Sequence, residues 1–393
     1  MPRLVIFDDG RGQLGPMVDL RPAFELRTGA HRSLERIERR LSRFPAAWWV
    51  PQHLAALWAE STEHSVNELP DGDAMLLVNG RWLGLGDLPD LDVGQAAVAD
   101  DGSVIAACLQ RDDAPGVLNG GDLPDAVDAS VVDLPLLTYP WDLIASLSSC
   151  LLDDLEASST PLGCPDQVDV VGTAAIRVHP EAVVFPGVVI DASAGPVVVA
   201  RGATIRPGAV LSGPCHIARD AMVVDCGVIR GGTVIGPGCK VGGEVSSSVL
   251  QGRSNKAHDG FLGDSWIGEW VNLGAGTITS NLLNTYGEVT MRPVFDGPRV
   301  HTGRTFLGSI VGDHVKTAIG TRLMTGTVLG TGCMIAASTP PPTSMPALRW
   351  LTDAGDRPYR IDKFFESLEV VMARRAQHVS DALRARLRSL GEA

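Results

Sequence analysis

Two stretches of the chain bring reactive side chains close together in sequence. The first follows Arg3 to Phe7 (RLVIF), which reads as a buried strand, and enters DDGRGQLGPM, a loop rich in glycine and charge. A strand feeding such a loop is a common way to present backbone amides to phosphate. Asp8, Asp9 and Arg11 lie in the loop and Arg21 and Arg27 follow it. Together they suit a phosphate- and magnesium-binding cluster, because phosphoryl transfer requires mainly positioning and charge neutralisation; the alternative is a set of solvated loop charges. The second stretch, Lys256 to Asn281 (KAHDGFLGDSWIGEWVNLGAGTITSN), carries His258. An imidazole titrates near neutral pH and can take the proton that an attacking amine must lose.

The element that must position His258 announces itself by its period. From Ile205, every sixth residue is a branched aliphatic: Leu211, Ile217, Val223, Ile229, Ile235 and Val241, seven consecutive units. Four residues after each stands a mostly smaller partner, from Ala209 to Val245, with glycine, proline and polar residues between. A period of six fits neither a helix nor an amphipathic strand. It fits a parallel β-helix, in which three short faces close a triangular coil and coils stack on an internal aliphatic column. Val199 is in register upstream, and the pattern resumes at Ile267 and Leu273, breaks over Thr279 to Ile310, and returns at Val311, Thr317, Leu323, Leu329 and Ile335. The β-helix is expected over residues 168–340, with one long excursion of the kind that carries function.

Before it, residues 1–157 read as an α/β domain. The strand at Arg3 to Phe7 is followed by a helix from about Ala30 to Phe44, a buried strand at Ala74 to Gly80, a hairpin around Asp101-Gly102 and a helix at Tyr139 to Leu155. Residues 158–167 form a linker. After the stack, TPPPTSMP breaks the chain, and Ile361 to Leu390 within residues 341–393 reads as one amphipathic helix.

With 393 residues, 45% of them hydrophobic, the chain has ample core for two domains. A net charge of −13 argues against nucleic acid as the partner. The N-terminus reaches Asp8 and Asp9 too soon for a signal peptide, and no apolar run approaches a membrane span, so a cytoplasmic protein without a membrane partner is expected. Seven scattered cysteines with no CxxC pair read as reduced thiols rather than a zinc site.

The stretch from Lys256 to Asn281 resembles the acetyltransferase half of the bifunctional UDP-N-acetylglucosamine pyrophosphorylase/glucosamine-1-phosphate N-acetyltransferases, most sharply in LGD, VN and GAGTITSN. That family joins a nucleotidyltransferase domain to a left-handed β-helix that assembles as a trimer, and the domain order here is the same. IFDDGR, DLRPAFELRTG, LLVNG and YPWDL give the N-terminal half the look of a divergent sugar nucleotidyltransferase. The resemblance implies that His258 is the base for acetyl transfer, that Asn272 and Ala275 contact the sugar and acetyl-coenzyme A, that Asn281 is a further active-site contact, and that Arg230 binds phosphate. It also implies acetyl-CoA as donor, Mg²⁺ for nucleotidyl transfer, a sugar phosphate and a nucleoside triphosphate as substrates, and a homotrimer.

The chain departs from that pattern at several positions. Phe261 stands where the family has a tyrosine, Ser246 to Ser248 where it has a lysine, and Arg81 where an aspartate following the LVNG-like strand binds magnesium. Three readings therefore compete. The first is a bifunctional acetyl- and nucleotidyltransferase, the second a hexapeptide acyltransferase whose N-terminal domain only binds a nucleotide sugar, and the third a non-catalytic trimeric scaffold or sensor.

Overall fold

A computed structural model describes residues 1–392. The N-terminal half is a seven-stranded sheet of β1 (Arg3–Phe7), β2 (Ala47–Trp49), β3 (Ser65–Val66), β4 (Ala74–Asn79), β5 (Gln95–Val98), β6 (Val104–Gln110) and β7 (Asp128–Val131), in the order β3-β2-β1-β4-β6-β5-β7. β1 runs parallel to β2 and β4, while β6 is antiparallel to both of its neighbours. Helices α1 (Ser33–Leu41), α2 (Gln52–Ala59), α3 (Ala114–Leu118) and α4 (Pro140–Glu156) complete this α/β domain. The expected helix at 30–44 is shorter, closing on Ser42 at φ +50°. The Asp101-Gly102 hairpin is present, with Val98 opposite Val104.

The hexapeptides form the expected parallel β-helix, of the left-handed type. Three faces close each coil. We call them the docked face (nine strands, from Ile176–Val178 to Ser344–Met345), the ladder face (Val183–Val184 onward) and the open face (Asp169–Gly172 onward). All seven aliphatics of the regular repeat, Ile205 to Val241, are fully buried in the column. Leu211 faces Ile229, the spacing of three full hexapeptides. The coils then tighten: Ile229 faces Val245 and Val241 faces Lys256, each pair closer in sequence than three hexapeptides would place it. Val245 is thus a column residue rather than a small partner, and Lys256 occupies a slot where every coil above it has an aliphatic.

The strands also continue past Thr339. Ser344–Met345 pairs with Val328–Leu329, and Arg349–Thr352 with Met334–Ala336, so the proline-rich segment is one corner of a further coil. The expected single C-terminal helix is two, α5 (Ile361–Ala373) and α6 (Asp381–Glu392). Ala376 at φ +52° and a Gln377 N–H to Met372 C=O bond of 3.1 Å end α5 in the left-handed closure typical of helix C-termini. The turn lets both helices lay their apolar stripes on Trp270, Leu348 and Tyr359.

The two halves share a core. Val198, Val234, Val249, Trp266, Ile310 and Val328 point outward from the docked face, yet are buried against Leu14, Met17, Trp141 and Leu147 of the α/β domain. Covered on both sides, this face reads as unbroken hydrophobic runs such as Val197–Val199.

Candidate functional site

His258 sits on the edge where the ladder face turns into the open face. Successive corners along that edge, from Val224 to Gly320, line an open groove of about 730 Å³ that includes His258, Asp259 and Ala275. The corners are tight. A side chain at Gly260, φ +124°, would bring a Cβ to 2.0 Å from the Thr277 carbonyl, and one at Gly274 would stand 2.6 Å from Ala318. The glycines that flank His258 and Ala275 therefore allow adjacent coils to close up behind the groove.

The His258 imidazole is exposed, and among the described residues it is not tied into any hydrogen bond. Its main chain is held from below. Lys256, 2% exposed in the aliphatic column, donates Nζ to the carbonyls of Gly242 (2.7 Å) and His258 (3.1 Å). Burial pushes the Lys256 ammonium down to about 8, with the Asp259 charge acting the other way. The period alone does not flag Lys256, because its place in the column is visible only once the preceding coil is known to be short.

The other acetyl-transfer candidates do not converge on His258 within one chain. Asn272 lies on the ladder face, where its Oδ1 accepts from Asn255 Nδ2 (2.7 Å). Arg230 and Asn281 both follow strands of the open face at its far edge. Arg230 pairs there with Glu244 (3.0 Å), and Asn281 donates to Asp264 (2.7 Å). The excursion at residues 280–309 leaves from that same edge and packs on the α/β domain through Val289 and Met291.

In the α/β domain the five candidate residues separate. Asp8 caps its own surroundings, accepting from the amides of Gly10 (3.0 Å) and Ala23 (2.7 Å); burial raises its pKa. Asp9 accepts the Arg81 guanidinium through both oxygens (2.8 and 2.7 Å) and Asn79 Nδ2 (2.9 Å). Burial opposes its charge, but the Arg81 bonds outweigh burial and hold the Asp9 carboxyl below its ordinary value. The guanidinium supplies locally the positive charge that a metal would bring. The Arg11 amide caps Asp9 (3.0 Å), and its side chain reaches Asp122 (3.3 Å) at the surface. The Gln13 amide is also engaged, with Thr138. Arg21 and Arg27 turn instead to the β-helix. Arg21 pairs with Asp313 (2.9 Å), and Arg27 donates to the main chain of Ala30 and Gln251. Among the described residues, no three His, Cys, Asp or Glu side chains converge as a metal site, and no helix is long and apolar enough to cross a membrane. The seven cysteines are free.

A family model for sugar nucleotidyl transferases matches residues 4–160. The bifunctional sugar-1-phosphate nucleotidylyltransferase/acetyltransferase of Sulfurisphaera tokodaii is 33% identical over 138 residues, 35% of this chain and 34% of that protein. The bifunctional protein GlmU of a Cyanothece species is 27% identical over 208 residues, 49% of this chain and 41% of that one. The alignments thus span about two-fifths or less of these relatives' length. Among solved structures, the UDP-N-acetylglucosamine acyltransferase of Francisella novicida aligns with a TM-score of 0.35 at 13% identity, over 53% of this chain and 74% of that one.

Proposed function

We propose that this chain, a divergent relative of the bifunctional nucleotidyltransferase/acetyltransferases, acetylates an amino-sugar phosphate at the His258 groove and handles the corresponding nucleotide in its α/β domain. The observation that carries the reading is a free, exposed imidazole beside Ala275, on the next coil, in a groove of about 730 Å³. In the reaction the amine nitrogen of the sugar attacks the carbonyl carbon of the acetyl thioester, the new C–N bond forms and the C–S bond breaks. His258 takes the proton lost by the amine and returns it to the departing coenzyme A thiolate. The groove lacks a second wall, which a neighbouring chain would supply. Exposed Ile278, Ile319 and Met324 lie on the open face, its edges and the groove corner, and the α/β domain occupies the docked face, so a homotrimer joined by the remaining surfaces fits. In that arrangement Asn272, Arg230 and Asn281 of one chain would serve a groove shared with the next.

Of the two loop carboxylates in the α/β domain, Asp9 is held by Arg81 and Asp8 is the one outside an ion pair. Each of its oxygens accepts one amide and retains a lone pair. It suits a magnesium ion that enters on the triphosphate and is held mainly by phosphate oxygens. The free cysteines suit a reducing, cytoplasmic setting. A second reading, in which this domain binds a nucleotide sugar without transferring, is favoured by the Arg81–Asp9 pair and by the internal use of the loop amides.

The test follows thiol release from acetyl-coenzyme A with glucosamine-1-phosphate and pyrophosphate release from UTP with N-acetylglucosamine-1-phosphate, alongside sedimentation, which should give three chains. His258→Ala should lower acetyl-transfer kcat by about 10² to 10⁴ with little change in KM for acetyl-coenzyme A. More than about a third of the wild-type rate left in the variant would sink the assignment, since general bases supply far more. Acetyl transfer without pyrophosphate release would select the second reading.

A further inference from the structure

Lys256 is a buried ionisable group that the proposed acetyl transfer leaves unused. In the column it stands between Val241 of the coil before and Leu273 of the coil after, both buried aliphatics. An aliphatic side chain would fill this slot as it does in those coils, and an ammonium among apolar neighbours is costly. Departures of this kind from a repeat concentrate at functional sites. The ammonium is also bonded in a particular way. Nζ donates to the carbonyls of Gly242 (2.7 Å) and His258 (3.1 Å), and among the described residues neither carbonyl accepts any other hydrogen bond. It therefore bridges two successive coils at the corner that forms the groove edge. Gly243 leaves room for it: at φ +65°, a Cβ there would stand 3.1 Å from Nζ. Lys256 does not itself line the groove, whereas Gly243, Ala257, His258 and Asp259 do.

A general base must be aimed at the proton it takes, and the usual device is a carboxylate or carbonyl bonded to the second ring nitrogen. His258 has no such partner. Among the described residues its imidazole makes no hydrogen bond, and Lys256 Nζ is the one group that hydrogen-bonds any atom of the residue. The direction of the ring is then set by the main chain that carries it. Without the ammonium, the two carbonyls would turn to water, and the corner bearing the imidazole would turn with them.

We propose that Lys256 is a positioning residue for acetyl transfer, whose ammonium ties the His258 carbonyl to the Gly242 carbonyl of the neighbouring coil and so fixes the direction in which the imidazole enters the groove. The inference rests on the reading of His258 as the base. It gives Lys256 no contact with substrate and no proton to transfer: the residue acts from behind the corner, as a supporting shell does for a catalytic group.

A double-mutant cycle on the full chain tests it, with thiol release from acetyl-coenzyme A and glucosamine-1-phosphate as the rate and thermal unfolding measured alongside. Lys256→Met should lower kcat by about 10-fold or more, up to the roughly 100-fold that a 1 Å misplacement can cost. KM for acetyl-coenzyme A should stay within about twofold, and the variant should unfold no lower than wild type. In the His258→Ala background the same substitution should bring no further loss, because the ring it acts through is gone. A lysine that merely supports the fold would instead give the same fractional loss in both backgrounds. That result, or an unchanged kcat in Lys256→Met, overturns the proposal and leaves His258 standing as the base. A His258→Ala variant that keeps its rate removes the base and this inference together. Should Lys256→Met fail to fold, Lys256→Val, which repeats the residue of the preceding coil, takes its place in the cycle.

Discussion

A lysine inside an aliphatic column is the residue least expected from the repeat, and its energetics are open to measurement. Lys256 has its folded pKa lowered to about 8 from the ordinary 10.5, chiefly by burial. A depressed lysine means that the folded state binds the proton less well than the unfolded chain, so the penalty is fully present below pH 8 and fades as pH rises toward 10.5. At about 1.4 kcal/mol per pKa unit, the shift corresponds to a penalty on the order of 3 kcal/mol at neutral pH. Lys256→Met, which restores an unbranched apolar chain to the slot, should unfold at a higher temperature than wild type at pH 7, by a margin that shrinks at pH 10. A margin that did not move with pH would mean that the ammonium is not what burdens the fold. The retention of this lysine beneath the His258 carbonyl makes sense if the corner must be held in place. The pairing of Asp9 with Arg81 is equally hidden: the sequence shows an arginine where a metal-binding aspartate is expected, but not that its guanidinium folds back onto the loop.

At the scale of elements, the period of six is legible because one constraint repeats: a large aliphatic must fill the coil centre on every face. Val199, Ile267, Leu273, Val311, Thr317, Leu323, Leu329 and Ile335, read in register across a long interruption, all lie in the column or pack beside it. A fixed period loses register between Val245 and Leu262, because the coils there shorten and six no longer counts correctly. It also stops one coil early, because TPPPTSMP looks like a terminator and is in fact a corner. The break between α5 and α6 escapes the sequence because Ala376 takes a left-handed conformation that alanine rarely signals. Leu211, fully buried among regular coils, should cost about 2–5 kcal/mol on truncation to alanine. Val170, 48% exposed in the first coil, should cost no more than about 0.5 kcal/mol. Denaturant unfolding of the two variants compares them directly, and similar losses would show that the column is not what holds the coils together.

At the scale of the molecule, two domains are legible in the sequence but their contact is not, because nothing in a run such as Val197–Val199 says that its outer side is also covered. The docked face makes the α/β domain depend on the stack. Leu14, Met17, Trp141 and Leu147 find their partners on strands between Val198 and Val328. A fragment of residues 1–160 should therefore scatter light and bind a hydrophobic dye at concentrations where the full chain stays clear; a monodisperse fragment with no dye uptake would show that this surface closes without the β-helix. The same feature sets a timetable for synthesis. The ribosome releases the α/β domain first, whereas the last outward residue of its cradle, Val328, is far down the chain. At about 5–20 residues per second, the nascent domain waits on the order of ten seconds or more with its sticky side uncovered. A holding chaperone has that interval in which to act.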